Sequence, residues 1–467
     1  MFKSIYILFV AILAQILLFS SCAETVPGCT DPSSPNYDPM ANRDDGSCTY
    51  NIPDTYFFER AGENTVGYDL SLSRQLRIAR FQQMLLQLGS DPSNYIATAP
   101  LVFSYPDTLS FLSLAAGVDT VVPSTLGTLA SGDSLSLLFY ANPPLADLTP
   151  LFQDAFSHIE AQQARALLGT PAIYTTAEGV DYAHLLPPLL AGVSLFEPTI
   201  DSFLLAIDTL DNIRLSSNTT EAERTWDLAF GSFGMPISGA SWYDGNTPYQ
   251  DVNFNDTLDF TDEYLFSYAA MALDRDRAVS GPQFADRIFR AFREGRAALA
   301  FGPERLGETQ MAAMQIRDLW EQLIAATAIH HMNKAALTLE STPLDTTAYR
   351  ANWSAAYGQL YSLGLKADGR LGANGSAGVL SDMGAFPSTA TTYSDSLKSV
   401  RTTIGSTFGF SARTPEIADA WHAAGVANGG TACEDAPGIR EGAGGKLYLA
   451  YLRDPSGNKL CALHRVA

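Results

Sequence analysis

The chain has 467 residues, 46% of them hydrophobic and 17% charged, and a formal net charge of −21. At roughly 150 residues per domain this is a globular chain of two or three domains with ample material for a core. Its acidity excludes nucleic acid as a partner, because phosphate backbones are held by clustered Lys and Arg.

Lys3 and the apolar run from Ile5 to Phe19 form the charged and hydrophobic regions of an export signal, too short for an ordinary membrane-spanning helix. The run closes on Leu18-Phe19-Ser20-Ser21-Cys22. Small residues just before a cysteine resemble a bacterial lipobox, although Phe19 stands where Leu is usual. The resemblance implies cleavage before Cys22 and lipidation of that cysteine; ordinary secretory cleavage nearby is the alternative. Acyl chains contribute roughly 0.8 kcal/mol per buried methylene, so residues 1–22 imply a firm lipid anchor in the cell envelope. Ala23 does not resemble an inner-membrane retention signal, which points to the outer membrane.

Residues 28–50 begin Gly28-Cys29-Thr30-Asp31-Pro32, pass through Asn36-Tyr37-Asp38-Pro39 and end Asp44-Asp45-Gly46-Ser47-Cys48. This resembles a short repeat of exported Bacteroidetes proteins, GCTDPxAxNYxPxAxxDDGSC. An exported setting implies a Cys29 to Cys48 disulfide, whose loop closure is worth about 3 kcal/mol. Asp31, Asp38, Asn42, Asp44 and Asp45 offer hard oxygens suited to Ca²⁺, without the strict DxDxDG spacing. The alternative is a spacer held by its disulfide.

The main body, 53–406, turns helical from Arg74. Residues from Ser90 to Pro150 read as loops with short helices. Helices return after Leu151, and a polar segment from Tyr243 to Glu263, rich in Asp and Asn, reads as a solvated loop. The run Met311 to Ala336 holds no Gly or Pro and repeats apolar residues three and four apart at Ile316, Leu319, Leu323 and Ala326, which predicts a long buried helix. Its stripe Trp320, Ile324, Thr327, His331 ends beside His330, the most chemically loaded helical surface in the chain; satisfied core histidines are the plainer reading. Trp226-x-x-Ala229-Phe230-Gly231-x-Phe233 is echoed by Trp353-x-x-Ala356-Tyr357-Gly358-x-Leu360, which predicts two related helical halves. Core packing is the alternative to a ligand-binding role for Trp226 and Trp353. The chain carries no HExxH, no GxSxG and no phosphate-cradling Gly-Lys loop.

The segments AEGVDYAHLLPPLLAGV, TEAERTWDLAFGSFG, IRDLWEQLIAATAIHHMNKA and NWSAAYGQLYSLG resemble successive blocks of a Bacteroidetes lipoprotein family catalogued as domain of unknown function 4856. Its all-helical, duplicated character is similar to the imelysin group of envelope proteins tied to iron uptake. The GxHxxE signature of that group is absent, and Ser157-His158-Ile159-Glu160 lacks its Gly and its spacing.

From 407 to 467 the pattern changes. Phe408 to Ala412 predicts a strand, Thr414-Pro415 starts a helix to Ala427, and Lys446–Leu452 and Lys459–His464 alternate. The βαβββ order, with HAAGVANGG and YLAYLRDPSGNKLCAL, resembles the second module of the glyoxalase and bleomycin-resistance (vicinal oxygen chelate) superfamily. Members place a metal-binding His on the first strand and Glu on the last; here no His lies between Ser406 and Ala412, and Cys461 stands in place of the Glu.

The expectation is a mainly α, duplicated helical bundle with a small disulfide-clipped N-terminal module and a C-terminal α+β half module. Its function reads as a non-enzymatic envelope lipoprotein whose body binds an unknown ligand or envelope protein through Trp226, Trp353, His330 and His331, in metal (iron) acquisition. The alternatives are an envelope metallohydrolase or peptidase using His330 or His331, and small-molecule or isomerase chemistry through a dimerised tail.

Overall fold

The computed structural model describes residues 25–30, 34–60, 63–87, 120–121, 133, 135, 148–165, 173–212, 219–278, 283–366, 368–390, 392–408, 415–427, 429–442, 445–453 and 459–466. The export signal with Cys22, the carboxylate of Asp31, most of the 90–150 stretch and residues 409–412 of the expected strand lie outside them. The chain divides into two compact units, Met1–Pro53 and Asp54–Ala467.

In the N-terminal unit the Cys29–Cys48 disulfide is present and both cysteines are buried. The candidate calcium oxygens build turns. Asp38 Oδ1 accepts from Met40 N at 2.9 Å, Asp44 Oδ1 from Gly46 N and Asp45 Oδ1 from Ser47 N, each at 3.0 Å, and Asn42 Oδ1 from Val26 N at 3.1 Å. Asn36 ties the two ends: its Oδ1 accepts from Thr49 N at 2.7 Å, and its Nδ2 donates to Ser47 O at 2.7 Å. The aspartate bonds are Asx-type, in which a short polar side chain stands in for a backbone group, whereas the Asn36 and Asn42 bonds bridge residues 11 to 16 positions apart.

The second unit is mainly helical. Its α-helices among the described residues are α1 (Asp69–Gln87), α2 (Thr149–Ala164), α3 (Tyr182–Ala191), α4 (Glu221–Phe233), α5 (Ser267–Ala278), α6 (Phe284–Phe301), α7 (Leu306–Leu339), α8 (Thr346–Leu363), α9 (Gly372–Met383), α10 (Tyr393–Thr407) and α11 (Pro415–Ala427). None of them is long and apolar enough to cross a membrane. The run expected from Met311 to Ala336 is the middle of α7, which at about 1.5 Å per residue is roughly 50 Å long. It packs against α5, α6, α8 and α10, burying Ile316, Leu319, Trp320, Leu323 and Ile324.

The two echoed segments lie on α4 and α8, and both use their glycine for close approach. A Cβ on Gly231 would stand 2.7 Å from the Cβ of Tyr68, and one on Gly358 would stand 2.8 Å from the carbonyl of Leu185. Both tryptophans are core residues. Trp226 Nε1 donates to Phe292 O at 2.9 Å, and Trp353 Nε1 donates to the Tyr393 hydroxyl at 2.6 Å. An indole whose N–H is satisfied inside the core packs as a large apolar group with one fixed orientation.

The Tyr243 to Glu263 segment is the largely solvated loop expected, with Leu258, Phe260 and Glu263 turned inward. It winds around Glu263, which is 1% exposed and accepts from Val252 N, Asn253 N and Asp259 N at 2.9 to 3.2 Å. Leu265 N then donates to Pro248 O at 2.7 Å, which fixes the residues leading into α5. In the C-terminal region α11 covers an antiparallel sheet of β1 (Thr431–Ala432), β2 (Gly438–Gly442), β3 (Gly445–Arg453) and β4 (Lys459–Arg465). Strand β3 pairs with the other three, and its Ala450 and Leu452 are buried.

Gly295 of α6 is the tightest point between α4 and α6, since any Cβ there would overlap the indole of Trp226. Gly295→Ala gains about 1 kcal/mol of helix propensity but overpacks a site whose neighbour cannot move, at roughly 1–3 kcal/mol. It is expected to lower the thermal midpoint. Gly378→Ala in α9, where an added Cβ meets nothing within 4 Å, is expected to raise it. Paired calorimetric scans check the opposite signs.

Candidate functional site

Three helices each turn one face toward a common space. Residues Gln75, Ile78, Ala79 and Gln82 of α1 recur at i, i+3, i+4 and i+7, as do Ser267, Ala270, Met271 and Asp274 of α5, and Thr327, His330, His331 and Lys334 of α7. That spacing places four side chains on one helical face. The space between them is a cavity of about 480 Å³, closed further by Tyr264, Leu265 and Phe266 ahead of α5 and by Gln359 of α8. The stripe along α7 thus runs from core at Trp320 and Ile324 to cavity wall at Thr327 and His331.

The cavity is apolar on one side and cationic on the other. Ile78, Leu265, Phe266 and Met271 form the first, and Arg275 and Lys334 supply the charge of the second. Neither cation has an ion-pair partner among the described residues, and the Nε of Arg275 is buried without a hydrogen bond. Burial holds the Arg275 guanidinium below its ordinary range. Gln359 is 5% exposed, and its Oε1 also lacks a partner. By contrast the carboxylate of Asp274 accepts from the Tyr243 hydroxyl at 3.0 Å. Two hydroxyls lining the cavity are engaged as well: Ser267 Oγ donates to Gln75 Oε1 at 2.9 Å, and Thr327 Oγ1 donates to Leu323 O at 2.9 Å.

His331 Nδ1 lies 3.1 Å from Asn352 Oδ1, while Asn352 Nδ2 donates to Ala348 O at 2.8 Å. The amide is therefore oriented with its oxygen toward the imidazole, so Nδ1 carries the proton and Nε2 the lone pair. The two imidazoles meet edge to face with centroids 5.4 Å apart. Burial first, then the charges of Arg275 and Lys334, push His330 down to about 4. Burial also lowers His331, and the Asn352 bond opposes it. Both rings are neutral at pH 7.

Of the sequence-predicted ligand residues, His330 and His331 share this cavity, whereas Trp226 and Trp353 sit in the core away from it. His158 packs edge to face on Tyr182, and His184 bonds Asp181. No three His, Cys, Asp or Glu residues converge as a metal-holding group among the described residues. Sequence reading passed over Arg275, Lys334 and Gln359. The i, i+3, i+4 recurrence in α5 was the available signal.

The depressed His330 gives a pH signature. A base whose folded pKa lies below its unfolded value binds protons more readily when unfolded, so its contribution to stability is full above about 6.5 and is lost as pH falls toward about 4. Thermal midpoints from pH 7 to 4 are expected to fall less steeply for His330→Gln than for the wild type. An NMR titration is expected to show His330 neutral at pH 6.

Comparison with known proteins gives three similarities. The family described as Domain of unknown function (DUF4856) matches residues 169–411, more than half of the chain. A chloroplastic ribulose bisphosphate carboxylase/oxygenase activase from Spinacia oleracea is 72% identical over 25 residues, so the chain spans 5% of that relative's length. A glyoxalase/bleomycin resistance protein from Albidiferax ferrireducens T118, known from its crystal structure, is 73% identical over 12% of this chain and 44% of its own, with a TM-score of 0.12. The match over 169–411 makes this chain a member of the DUF4856 family.

Proposed function

We propose that this protein is an envelope lipoprotein whose helical body binds a small organic ligand in the cavity between α1, α5, α7 and α8. The observation that carries the reading is a preformed space lined by two cations, Arg275 and Lys334, that have no ion-pair partner among the described residues, together with the apolar side chains of Ile78, Leu265, Phe266 and Met271. The volume suits a small molecule. Anchoring rests on the sequence alone, on the export signal and Cys22.

Ser267 and Thr327 direct their hydroxyls to Gln75 and Leu323 and not to an imidazole, so neither is set up as an activated nucleophile, and binding is the first reading. The placement of His330 and His331 on one cavity keeps a metallohydrolase as the second reading. Bare iron or zinc is the poorer fit, since a cation would meet Arg275 and Lys334 beside two neutral imidazoles. Metal acquisition through this cavity would require the metal to arrive within a larger complex.

Filling the cavity tests the reading. In a thermal-shift screen of mixed small metabolites, at least one compound is expected to stabilise the wild type by several degrees, and Ala270→Trp is expected to abolish that shift. Equal shifts in both proteins would contradict ligand binding here.

A further inference from the structure

We infer that the ligand is a small amphipathic carboxylate, held by Arg275 and Lys334 at the anion and by Ile78, Leu265, Phe266 and Met271 along its apolar part. This rests on the ligand-binding reading of the same cavity and adds the chemical class. The lining holds two cations and one carboxylate, Asp274, with both histidines neutral. One positive charge is left over, which a monoanion balances and a phosphate dianion exceeds. Arg275 has no ion pair and an unsatisfied Nε, and its planar guanidinium offers a carboxylate two parallel N–H donors. Lys334, on the exposed rim, adds a point charge at the mouth. Its position favours electrostatic capture of an anion on entry.

The remainder of the wall sets the rest of the molecule. Ile78, Leu265, Phe266 and Met271 provide an apolar surface, and apolar groups are driven onto it by loss of water contact.

Calorimetric titration of the full chain with octanoate, 1-octanol, octylamine and octyl phosphate separates the contributions. Octanoate is expected to bind at least tenfold more tightly than octanol, octylamine or octyl phosphate. Arg275→Gln is expected to weaken octanoate roughly ten- to hundredfold, as loss of a charge-assisted pair does, with a far-UV circular dichroism spectrum and cooperative thermal unfolding like the wild type's showing that the variant is folded. Equal binding of octanol or octylamine, tighter binding of octyl phosphate, or unaltered octanoate affinity in Arg275→Gln would overturn the carboxylate assignment and leave the cavity reading standing. Failure of every probe, with a different compound stabilising the wild type but not Ala270→Trp, would likewise overturn only the ligand class. If no compound distinguishes the wild type from Ala270→Trp, both inferences fall.

Discussion

Arg296 is the constraint on which the helical unit depends. It is fully buried, with Nε donating to Asp227 Oδ1 and Nη1 donating to Glu223 Oε1, both at 2.9 Å. The two carboxylates are four residues apart, so they stand one turn above the other on α4 and face a single guanidinium on α6. Each also serves a second purpose. Glu223 Oε2 accepts from Thr220 N at 2.9 Å and completes the capping box that starts α4. Asp227 accepts from the Tyr56 hydroxyl at 2.7 Å and from Gly67 N, which ties the segment ahead of α1 to the same point. Burial pushes the Asp227 carboxyl up, and Arg296 opposes it. A buried ion cluster is a weak source of net stability, but removing one partner strands the others at about 3–5 kcal/mol. Its effect here is to allow one register of α4 against α6.

That register reaches the cavity through ordinary packing. The indole of Trp226 fills the notch at Gly295, and Gln75 of α1 donates to Gly231 O and Ser232 O at the end of α4. The cavity face of α1 is thereby set by α4, and α7 is set by its contact with α6. Arg275 of α5 and Gln359 of α8 line the cavity beside these helices, whereas the Arg296 cluster pairs its buried polar groups within the core.

Much of the fold was legible because it follows from spacing within single elements. The three- and four-residue recurrence from Ile316 to Ala326 located α7, and Pro415 located the start of α11. The clip cysteines paired as the repeat implies. The echoed Trp-x-x-Ala-aromatic-Gly pattern was read correctly as helical, but whether an indole faces core or ligand is decided by neighbours from α6 and α10, which no local pattern reveals. His330 and His331 were found because they share a stripe with a strongly apolar helix. Arg275 was missed because α5 mixes Asp and Arg through its last turns, Ser267–Ala278, and looks like a solvated face until α1 and α7 enclose it. The acidic segment was legible as a solvated loop, but no local pattern shows that Glu263 turns inward and gathers backbone N–H groups from residues up to eleven positions away.

A crystal structure with octanoate bound is the most direct measurement of ligand recognition by this protein. The unpaired guanidinium and the apolar wall predict carboxylate density within hydrogen-bond distance of Arg275 and the alkyl chain against Leu265, Phe266 and Met271. Octanoate seated elsewhere, or bound in the cavity with its chain toward Arg275, would contradict it.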